Sequence, residues 1–362
     1  MEGNLLSNST EMTENMSVDT SLRKPKVSHI SIIYSLTVLL FLIIGHRVQR
    51  NEFYSGILIT EFGLILLPAL IYMLVFKYDI KKVMRFNKAG FVNLFLIFMI
   101  MVFAIPAVGV LNLVNLALIK HIFGKTLIVQ PPVADNAVKL LINVLVIGGS
   151  AGICEEFLFR GVMQRGFERF GAVKSILLTA FLFGLLHMDF QKLLGTFLLG
   201  ALIGFIVYRT NSLIGGMFAH FTNNTVAVFA SYYAYKLNEL NEAIASSFGK
   251  MDEIEIYRQG IDFPSFQNLP EASVIIVVVV LLFMFLFCAL ILAGLLYALV
   301  KVNSKKAEKI QSQPKPRLAG LTWLIPGILL IGFMYYAQGL KLLGIENALI
   351  NKLLGLIIGL EG

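Results

Sequence analysis

Residues 137–160 read AVKLLINVLVIGGSAGICEEFLFR, an apolar run of helical length with two adjacent glutamates near its end. About 20 apolar residues in an α-helix cross the ~30 Å hydrocarbon layer of a bilayer. A charged side chain at the centre of that layer costs roughly 3 kcal/mol on insertion scales, so carboxylates there are rare and are functional candidates. The stretch therefore predicts a membrane-spanning helix that carries chemistry.

The whole chain has the composition of a membrane protein. Of its 362 residues 57% are hydrophobic and 14% are charged, and the mean hydropathy is +0.79. Because a soluble domain has about 25% charged residues, this composition excludes a soluble enzyme, a disordered chain and a secreted disulfide scaffold. Cys154 and Cys288 lie in apolar runs and are expected to be small buried hydrophobes. The net charge of +8 reports membrane topology, and we predict no nucleic-acid partner.

Apolar stretches that could cross a membrane recur along the chain. They fall at 30–46, 53–76, 91–116, 137–160, 173–189, 191–208, 212–235, 273–300 and 319–340. The first and the fifth are short, so we expect eight to nine helices. Lipid offers no hydrogen-bond partner to open backbone, which leaves helices as the way to span it. We predict an all-α polytopic membrane protein in contact with membrane lipid.

The distribution of basic residues favours a cytoplasmic N-terminus in the cell membrane. Most Lys and Arg fall between alternate spans, whereas the longest loop of the opposite set is acidic. We predict five regions: a disordered polar tail (1–27), transmembrane helices with an inner amphipathic segment at 79–90 (28–133), a catalytic core (134–236), an acidic outer loop (237–271), and C-terminal helices with an amphipathic tail (272–362).

Ionisable side chains inside the predicted spans are few and clustered. Carboxylates occur well inside only as Glu61, Glu155 and Glu156, and histidines only as His187 and His220. Four of these five follow one another on neighbouring predicted helices, so we expect them to share a pocket. For Glu61 we predict a hydrogen-bonded structural role or a lateral gate.

The first motif is Glu-Glu-x-x-x-Arg. Glu156 and Arg160 lie four residues apart on one helical face and can form an ion pair. Glu155 points about 100° away around the helix and is free to face another group, where a desolvated carboxylate is suited to take a proton from water. The alternative interpretation is a structural charge cluster near the interface.

The second motif, Phe-x-x-x-His, pairs Phe183 with His187. The phenyl ring can pack against the imidazole, which makes Phe183 a supporting residue. A turn near Gly171 is equally far in sequence from Glu155 and His187, so an antiparallel hairpin predicts that the two side chains meet at one depth within the membrane.

The third motif, His-x-x-x-Asn, sets His220 and Asn224 on one helical face. A carboxylate base with imidazole and amide donors can activate water and stabilise an oxyanion. Glu155, His187 and His220 are equally a ligand set for zinc, although the His-Glu-x-x-His spacing is absent. The sequence leaves open whether a metal takes part.

The three motifs in this order, over about Val138 to Tyr235, resemble the CPBP family of intramembrane proteases. That family groups type II CAAX prenyl endopeptidases with bacteriocin-processing and abortive-infection-like proteins. The resemblance implies a CAAX-protease-like helical core and cleavage of a peptide or lipidated-protein substrate by a glutamate- or metal-dependent enzyme.

The roles of the motif residues follow from this resemblance. Its catalytic residues would be Glu155, His187, His220 and Asn224, supported by Glu156 and Arg160. Glu155 and His187 would activate the water, and His220 and Asn224 would stabilise the oxyanion. An intramembrane endopeptidase is therefore the favoured function. A proton-coupled transporter and a non-catalytic scaffold or immunity protein are the alternatives.

Overall fold

The computed structural model describes residues 22–126, 133–247, 271–306 and 316–358, and all regular secondary structure within these ranges is helical. The helices, in chain order, are α1 (Val27–Asn51), α2 (Phe53–Val75), α3 (Ile80–Val83), α4 (Phe91–Phe123), α5 (Ala137–Phe170), α6 (Ala172–Leu186), α7 (Phe190–Thr210), α8 (Leu213–Ser247), α9 (Glu271–Val302), α10 (Leu318–Leu343) and α11 (Ala348–Ile358). Most of the predicted tail (1–21) and most of the predicted acidic loop (248–270) lie outside the described residues.

The predicted fold class is confirmed. Each of the nine apolar stretches corresponds to one long helix, and seven helices of the described ranges are long and apolar enough to cross a membrane. The exceptions are α6, which has only 15 residues, and α8, whose 35 residues run on into polar sequence. Cys154 and Cys288 are free and buried, as predicted.

Local sequence signals set the helix boundaries. The side chains of Glu52, Asn136 and Asp189 accept hydrogen bonds from backbone amides in the first turns of α2, α5 and α7, as residues at helix N-termini commonly do. Gly171 separates α5 from α6 with a φ of 93°, and Gly124 ends α4 with a φ of 78°. These positive φ values suit glycine, which lacks a Cβ.

Helix α5 lies at the centre of the bundle and packs against α2, α6 and α8. Every residue from Glu156 to Glu168 is buried, which is typical of a helix surrounded on all sides. Helix α8 also contacts α4, α6 packs along α7, and α1 lies against α10. Helix α9 packs mainly on α4 and leaves most of its apolar surface exposed, as expected for a lipid-facing helix.

Long helices of the bundle contain π-helical stretches, in which the backbone hydrogen bonds skip one additional residue. They lie at Phe41–Gly45 in α1, Ile59–Leu66 in α2, and Val144–Ser150 and Phe157–Met163 in α5. Such stretches are rare and occur frequently at functional sites. Glu155 and Glu156 lie between the two π-helical stretches of α5, and Glu61 lies on that of α2.

The segments predicted to be on the inner side of the membrane meet at one end of the bundle. The backbone amide of Leu213 donates to the carbonyl oxygen of Arg85, and Asn87 donates to that of Asn211, both at 2.8 Å. The predicted amphipathic helix over 79–90 is wrong in extent, since only Ile80–Val83 is helical. Arg85 takes a φ of 58° and is 2% exposed. Its guanidinium group pairs with Glu168 at 2.7 Å instead of facing lipid headgroups.

Candidate active site

The candidate site lies where α5 and α8 approach each other closely. A Cβ atom on Gly152 of α5 would lie 3.2 Å from the backbone nitrogen of Phe221 and 3.3 Å from the carbonyl oxygen of Met217. Only glycine fits this crossing without displacing backbone atoms. The close approach brings the glutamates of α5 to His220 on α8.

Glu156 is completely buried and is the hub of this site. Its Oε1 atom accepts hydrogen bonds from Arg160 Nη1 at 2.7 Å and from His220 Nδ1 at 2.9 Å. The predicted pair of Glu156 and Arg160 is therefore present. Arg160 is held in turn by the carbonyl oxygen of Gly200 on α7, 2.9 Å from its Nη2 atom.

Glu155 approaches the other nitrogen of the same imidazole ring. Its side chain is 13% exposed, and its Oε2 atom lies 3.7 Å from His220 Nε2. This Oε2 atom is buried and has no hydrogen-bond partner among the described residues. His220 thus lies between two carboxylates. Each has a buried Oε2 atom without a hydrogen-bond partner among the described residues, but Glu156 is completely buried and bonded through Oε1, whereas Glu155 is partly exposed.

His187 lies at the end of α6, not well inside a span as the sequence suggests. The helix ends at Leu186, and Met188 then takes a φ of 50° before α7 begins. A helix of 15 residues rises about 22 Å, less than the ~30 Å hydrocarbon layer, so a turn at its end remains within the depth of the membrane.

The orientation of the His187 ring is set by one backbone hydrogen bond. Its Nδ1 atom lies 3.0 Å from the carbonyl oxygen of Phe183, which can only accept, so Nδ1 carries the hydrogen. In the neutral ring the exposed Nε2 atom then presents a lone pair. No hydrogen bond or ion pair joins His187 to Glu155, and the predicted meeting of the two at one depth is not a direct contact.

The ring of Phe183 connects these groups. Its centroid lies 5.0 Å from that of His187, 5.7 Å from that of His220, and 4.5 Å from the guanidinium carbon of Arg160. One phenyl ring therefore packs against both imidazoles and the arginine. This is consistent with the supporting role predicted for Phe183.

Asn224 faces α5 one helical turn beyond His220. Its Nδ2 atom donates to the carbonyl oxygen of Ile147 at 3.2 Å, and its Oδ1 atom accepts from Asn223 at 3.0 Å. An amide nitrogen has two hydrogens, so one remains for a further acceptor. The sequence did not predict the contacts made by the carbonyl oxygens of Ile147 and Gly200. Every residue has a backbone carbonyl group, so residue type does not indicate which of them lies in the site.

Glu61 is the third buried carboxyl group in this part of the bundle. It is 7% exposed, and its buried Oε2 atom has no hydrogen-bond partner among the described residues. The hydrogen-bonded structural role predicted for Glu61 is therefore not what the structure contains.

The site residues do not fit the predicted zinc set of Glu155, His187 and His220. In the described ranges no three His, Cys, Asp or Glu side chains are grouped so that they could hold a metal ion. His220 uses Nδ1 to bind Glu156, and the ring of Phe183 packs between His187 and His220.

Comparison with known proteins supports the resemblance for the central helices. No curated protein and no solved structure matches the chain at a significant level. The family match runs from the start of α5 into α8 and contains Glu155, Glu156, Arg160, Phe183, His187, His220 and Asn224. Helices α1–α4 and α9–α11 lie outside it. Residues 137–226 match the family model described as Type II CAAX prenyl endopeptidase Rce1-like, which confirms the predicted resemblance over this segment.

Proposed function

We propose that the protein is an intramembrane endopeptidase that hydrolyses a peptide bond of a membrane-associated substrate with water activated by Glu155. The observation that carries the proposal is the pair of carboxylates on the two nitrogens of His220, within a segment that matches a prenyl endopeptidase family. Buried ionisable groups in this arrangement are expensive in a membrane and call for a function.

Glu155 is the general base of the proposed reaction. Its unpartnered Oε2 atom takes a proton from a water molecule as the water oxygen attacks the carbonyl carbon of the substrate. The lone pair on Nε2 of His187 accepts the second hydrogen of this water and orients it. Glu156 is less suited to this role, because its side chain is completely buried and its Oε1 atom is bonded to Arg160 and His220, whereas the side chain of Glu155 is 13% exposed.

His220 and Asn224 are the donors for the oxyanion that forms when the water attacks. The proposal requires a hydrogen on both ring nitrogens of His220: Nδ1 donates to Glu156, and Nε2 donates to the oxyanion. Asn224 contributes the amide hydrogen that is not used by Ile147. When the tetrahedral intermediate collapses, the carbon–nitrogen bond breaks and Glu155 returns its proton to the departing amine. The products are an amine and a carboxylic acid, which then loses the second proton of the water to solvent and becomes a carboxylate.

The family match and the surroundings of the site support a membrane-associated peptide as the substrate. A prenylated or signal-like peptide is held by its apolar part in the bilayer, which delivers its peptide bond to a site at membrane depth. We assign the protein to the cell membrane with a cytoplasmic N-terminus, an orientation supported by the basic segments that meet at one end of the bundle.

The test uses purified protein in liposomes and a fluorogenic farnesylated peptide that ends in a Cys-a-a-X sequence, with an unprenylated peptide of the same sequence beside it. Glu155→Gln should lower cleavage at least ~100-fold, because general-base catalysis contributes about 10²- to 10⁴-fold. His187→Ala should also lower cleavage. Glu239→Gln makes the same chemical change at an exposed position on α8 and should leave cleavage unchanged.

A second experiment extends the test beyond one peptide. It compares the N-termini of membrane proteins in cells that express the wild type with those in cells that express Glu155→Gln, because cleavage creates new N-termini. Cleavage that persists in the Glu155→Gln variant contradicts the proposal, as does the absence of any cleavage that depends on Glu155. If no peptide is cut and the liposomes show a proton or solute flux that depends on Glu155, the proton-coupled transporter is favoured instead.

A further inference from the structure

The turn that follows His187 is bound by a side chain that the proposed reaction does not use, that of Gln338. This residue lies on α10, outside the segment that matches the family model. Its Oε1 atom accepts a hydrogen bond from the backbone nitrogen of Phe190 at 3.2 Å, and its Nε2 atom donates to Oδ1 of Asp189 at 2.8 Å. One amide group therefore binds the second and the third residue after His187.

The partners of this amide fix its orientation. A backbone nitrogen can only donate, so the oxygen of the Gln338 amide faces Phe190 and its NH₂ group is left for Asp189. Oδ1 of Asp189 also accepts from the backbone nitrogen of Gln191 at 3.0 Å, which makes Asp189 the N-cap of α7. The hydrogen bonds of Gln338 therefore connect α10 to the place where α7 begins.

The backbone of the turn 188–190 needs a constraint from outside. Met188 takes a φ of 50°, in the left-handed region that residues other than glycine rarely adopt. It follows the C-cap of α6, a position where glycine commonly ends a helix. Such a conformation persists only where the surrounding structure imposes it. Gln338 supplies this constraint, because it fixes the two residues that directly follow Met188.

Aromatic contacts support the same turn. The ring centroid of Phe190 lies 5.6 Å from that of Phe123 on α4 and 5.8 Å from that of Tyr335 on α10. These contacts place the side chain of Phe190. Hydrogen bonds are more directional than ring contacts, so the two bonds of Gln338 are the contacts that orient the backbone of the turn.

The position of the His187 ring depends on this turn. His187 is the C-cap of α6, and its Nδ1 atom is bonded to the carbonyl oxygen of Phe183 on the same helix, so the ring moves with the end of α6. If Met188 relaxed to a negative φ, the chain between α6 and α7 would change direction. The end of α6, and Nε2 of His187 with it, would then shift relative to Glu155 on α5.

We infer that Gln338 is a positioning residue of the active site: its amide holds the turn 188–190 and thereby keeps Nε2 of His187 where it orients the attacking water. The inference rests on the proposed function for its effect on cleavage. Helix α10 then supports a site whose proposed catalytic residues all lie within the family match.

The first test compares Gln338→Met with the matched control Asn303→Leu, each measured for kcat, KM and thermal stability in liposomes. Gln338→Met keeps the length of the side chain and removes both hydrogen bonds. Asn303→Leu also removes two hydrogen bonds between amides, of 3.0 and 2.7 Å with Asn93. Asn303 directly follows α9, which packs mainly on α4.

Both variants should be less stable than the wild type, but only Gln338→Met should have a lower kcat. We expect a loss of about tenfold with little change in KM, since a misplacement of about 1 Å can cost about 10² in rate. A wild-type kcat in Gln338→Met overturns the inference, and so does an equal loss of kcat in Asn303→Leu.

The other partner of the amide gives a second pair of variants. Asp189→Asn keeps an acceptor oxygen at the N-cap of α7 and should retain most of kcat. Asp189→Ala removes this oxygen and should lower kcat, as Gln338→Met does. The two substitutions together should lower kcat little further than either alone, because they break one contact. Losses that multiply in the double variant overturn the inference.

Nuclear magnetic resonance of isotope-labelled histidine separates this inference from the proposed function, because it needs no substrate. The ring signal of His187 is the one that His187→Ala removes. It should shift in Gln338→Met and stay unchanged in Asn303→Leu; if Gln338→Met does not fold, Asp189→Ala is measured in its place. A shift supports the positioning of His187 from α10 even if no peptide is cut. An unchanged signal overturns the inference even if cleavage occurs.

Discussion

At the C-terminal end of α5, Glu168 is surrounded by Lys24, Arg85 and Arg165, whereas earlier on the same helix Glu155 and Glu156 share Arg160 and His220. Both clusters are buried and both are built from carboxylates and basic side chains. In the first, the contacts of Glu168 are 2.8 Å to Lys24, 2.7 Å to Arg85 and 2.5 Å to Arg165. Each oxygen of Glu168 therefore has at least one cation.

The two clusters differ in the balance of charge, and this difference separates structure from chemistry. One carboxylate with three cations has no oxygen left for a proton or a substrate. The carboxylate of Glu168 connects the start of the described chain, through Lys24, with the segment after α3, through Arg85, at the end of α5. The second cluster has two carboxyl groups for one arginine and one histidine, and the buried Oε2 atoms of Glu155 and Glu156 stay without a hydrogen-bond partner among the described residues. Buried carboxylate oxygens without a partner cost stability and can supply a base.

The largest expected effect on stability comes from removing the carboxylate of the first cluster. Glu168→Ala takes the shared acceptor from three basic side chains, and breaking a buried ion pair costs about 3–5 kcal/mol. We expect a large drop in the melting temperature in detergent, with cleavage per folded molecule unchanged. Lys24→Ala should have a smaller effect, because the side chain of Lys24 is 25% exposed. If Glu168→Ala were as stable as the wild type, the cluster around Glu168 could not be distinguished from the second cluster by a role in stability.

A smaller effect on stability with a clear effect on activity is expected where α5 and α8 cross. Gly152→Ala forces the backbone of α8 away, and overpacking of this kind costs about 1–3 kcal/mol. Cleavage of the farnesylated peptide should fall more than stability does, since His220 moves away from both glutamates. Gly149→Ala is the control, because the nearest atom to its added methyl group is 4.0 Å away. Equal activity of the two variants would contradict this account.

The smallest effect is expected for an exposed ion pair outside both clusters. The hydrogen bond from Lys139 lowers the pKa of Asp135. A carboxyl group with a lowered pKa contributes stability above its unfolded pKa of about 4 and loses it as the pH falls through the folded value. Because the two side chains are 44% and 49% exposed, solvent screens the pair. The melting temperature of Asp135→Asn should therefore equal that of the wild type both at pH 7 and below pH 4. A melting temperature well below that of the wild type at pH 7 would contradict this.

Local and helical features were predictable from the residues alone. Apolar runs predict eight to nine helices, and a helix is present at each of the nine stretches, of which seven are long and apolar enough to cross a membrane in the described residues. The i,i+4 spacing predicts the pair of Glu156 and Arg160 because both lie on one helix. The resemblance predicted from the three motifs over about Val138 to Tyr235 is confirmed by the family match over 137–226.

The errors arose where a side chain meets another helix. Arg85 reads as part of an amphipathic inner segment but is buried against Glu168, which lies far along the chain. His187 reads as an intramembrane residue of a continuous span but lies at a turn, because Asp189 begins α7 there. Neither outcome follows from a local pattern, since each depends on which segments pack together.

The sequence by itself determined an all-α membrane protein with its ionisable residues concentrated between Glu155 and Asn224, since hydropathy and helical spacing are local properties. The tertiary structure decided that His220, on another helix, lies between both glutamates. The physical reason is that helix packing in a membrane depends on small residues such as Gly152 and on interhelical hydrogen bonds, which connect positions distant in sequence.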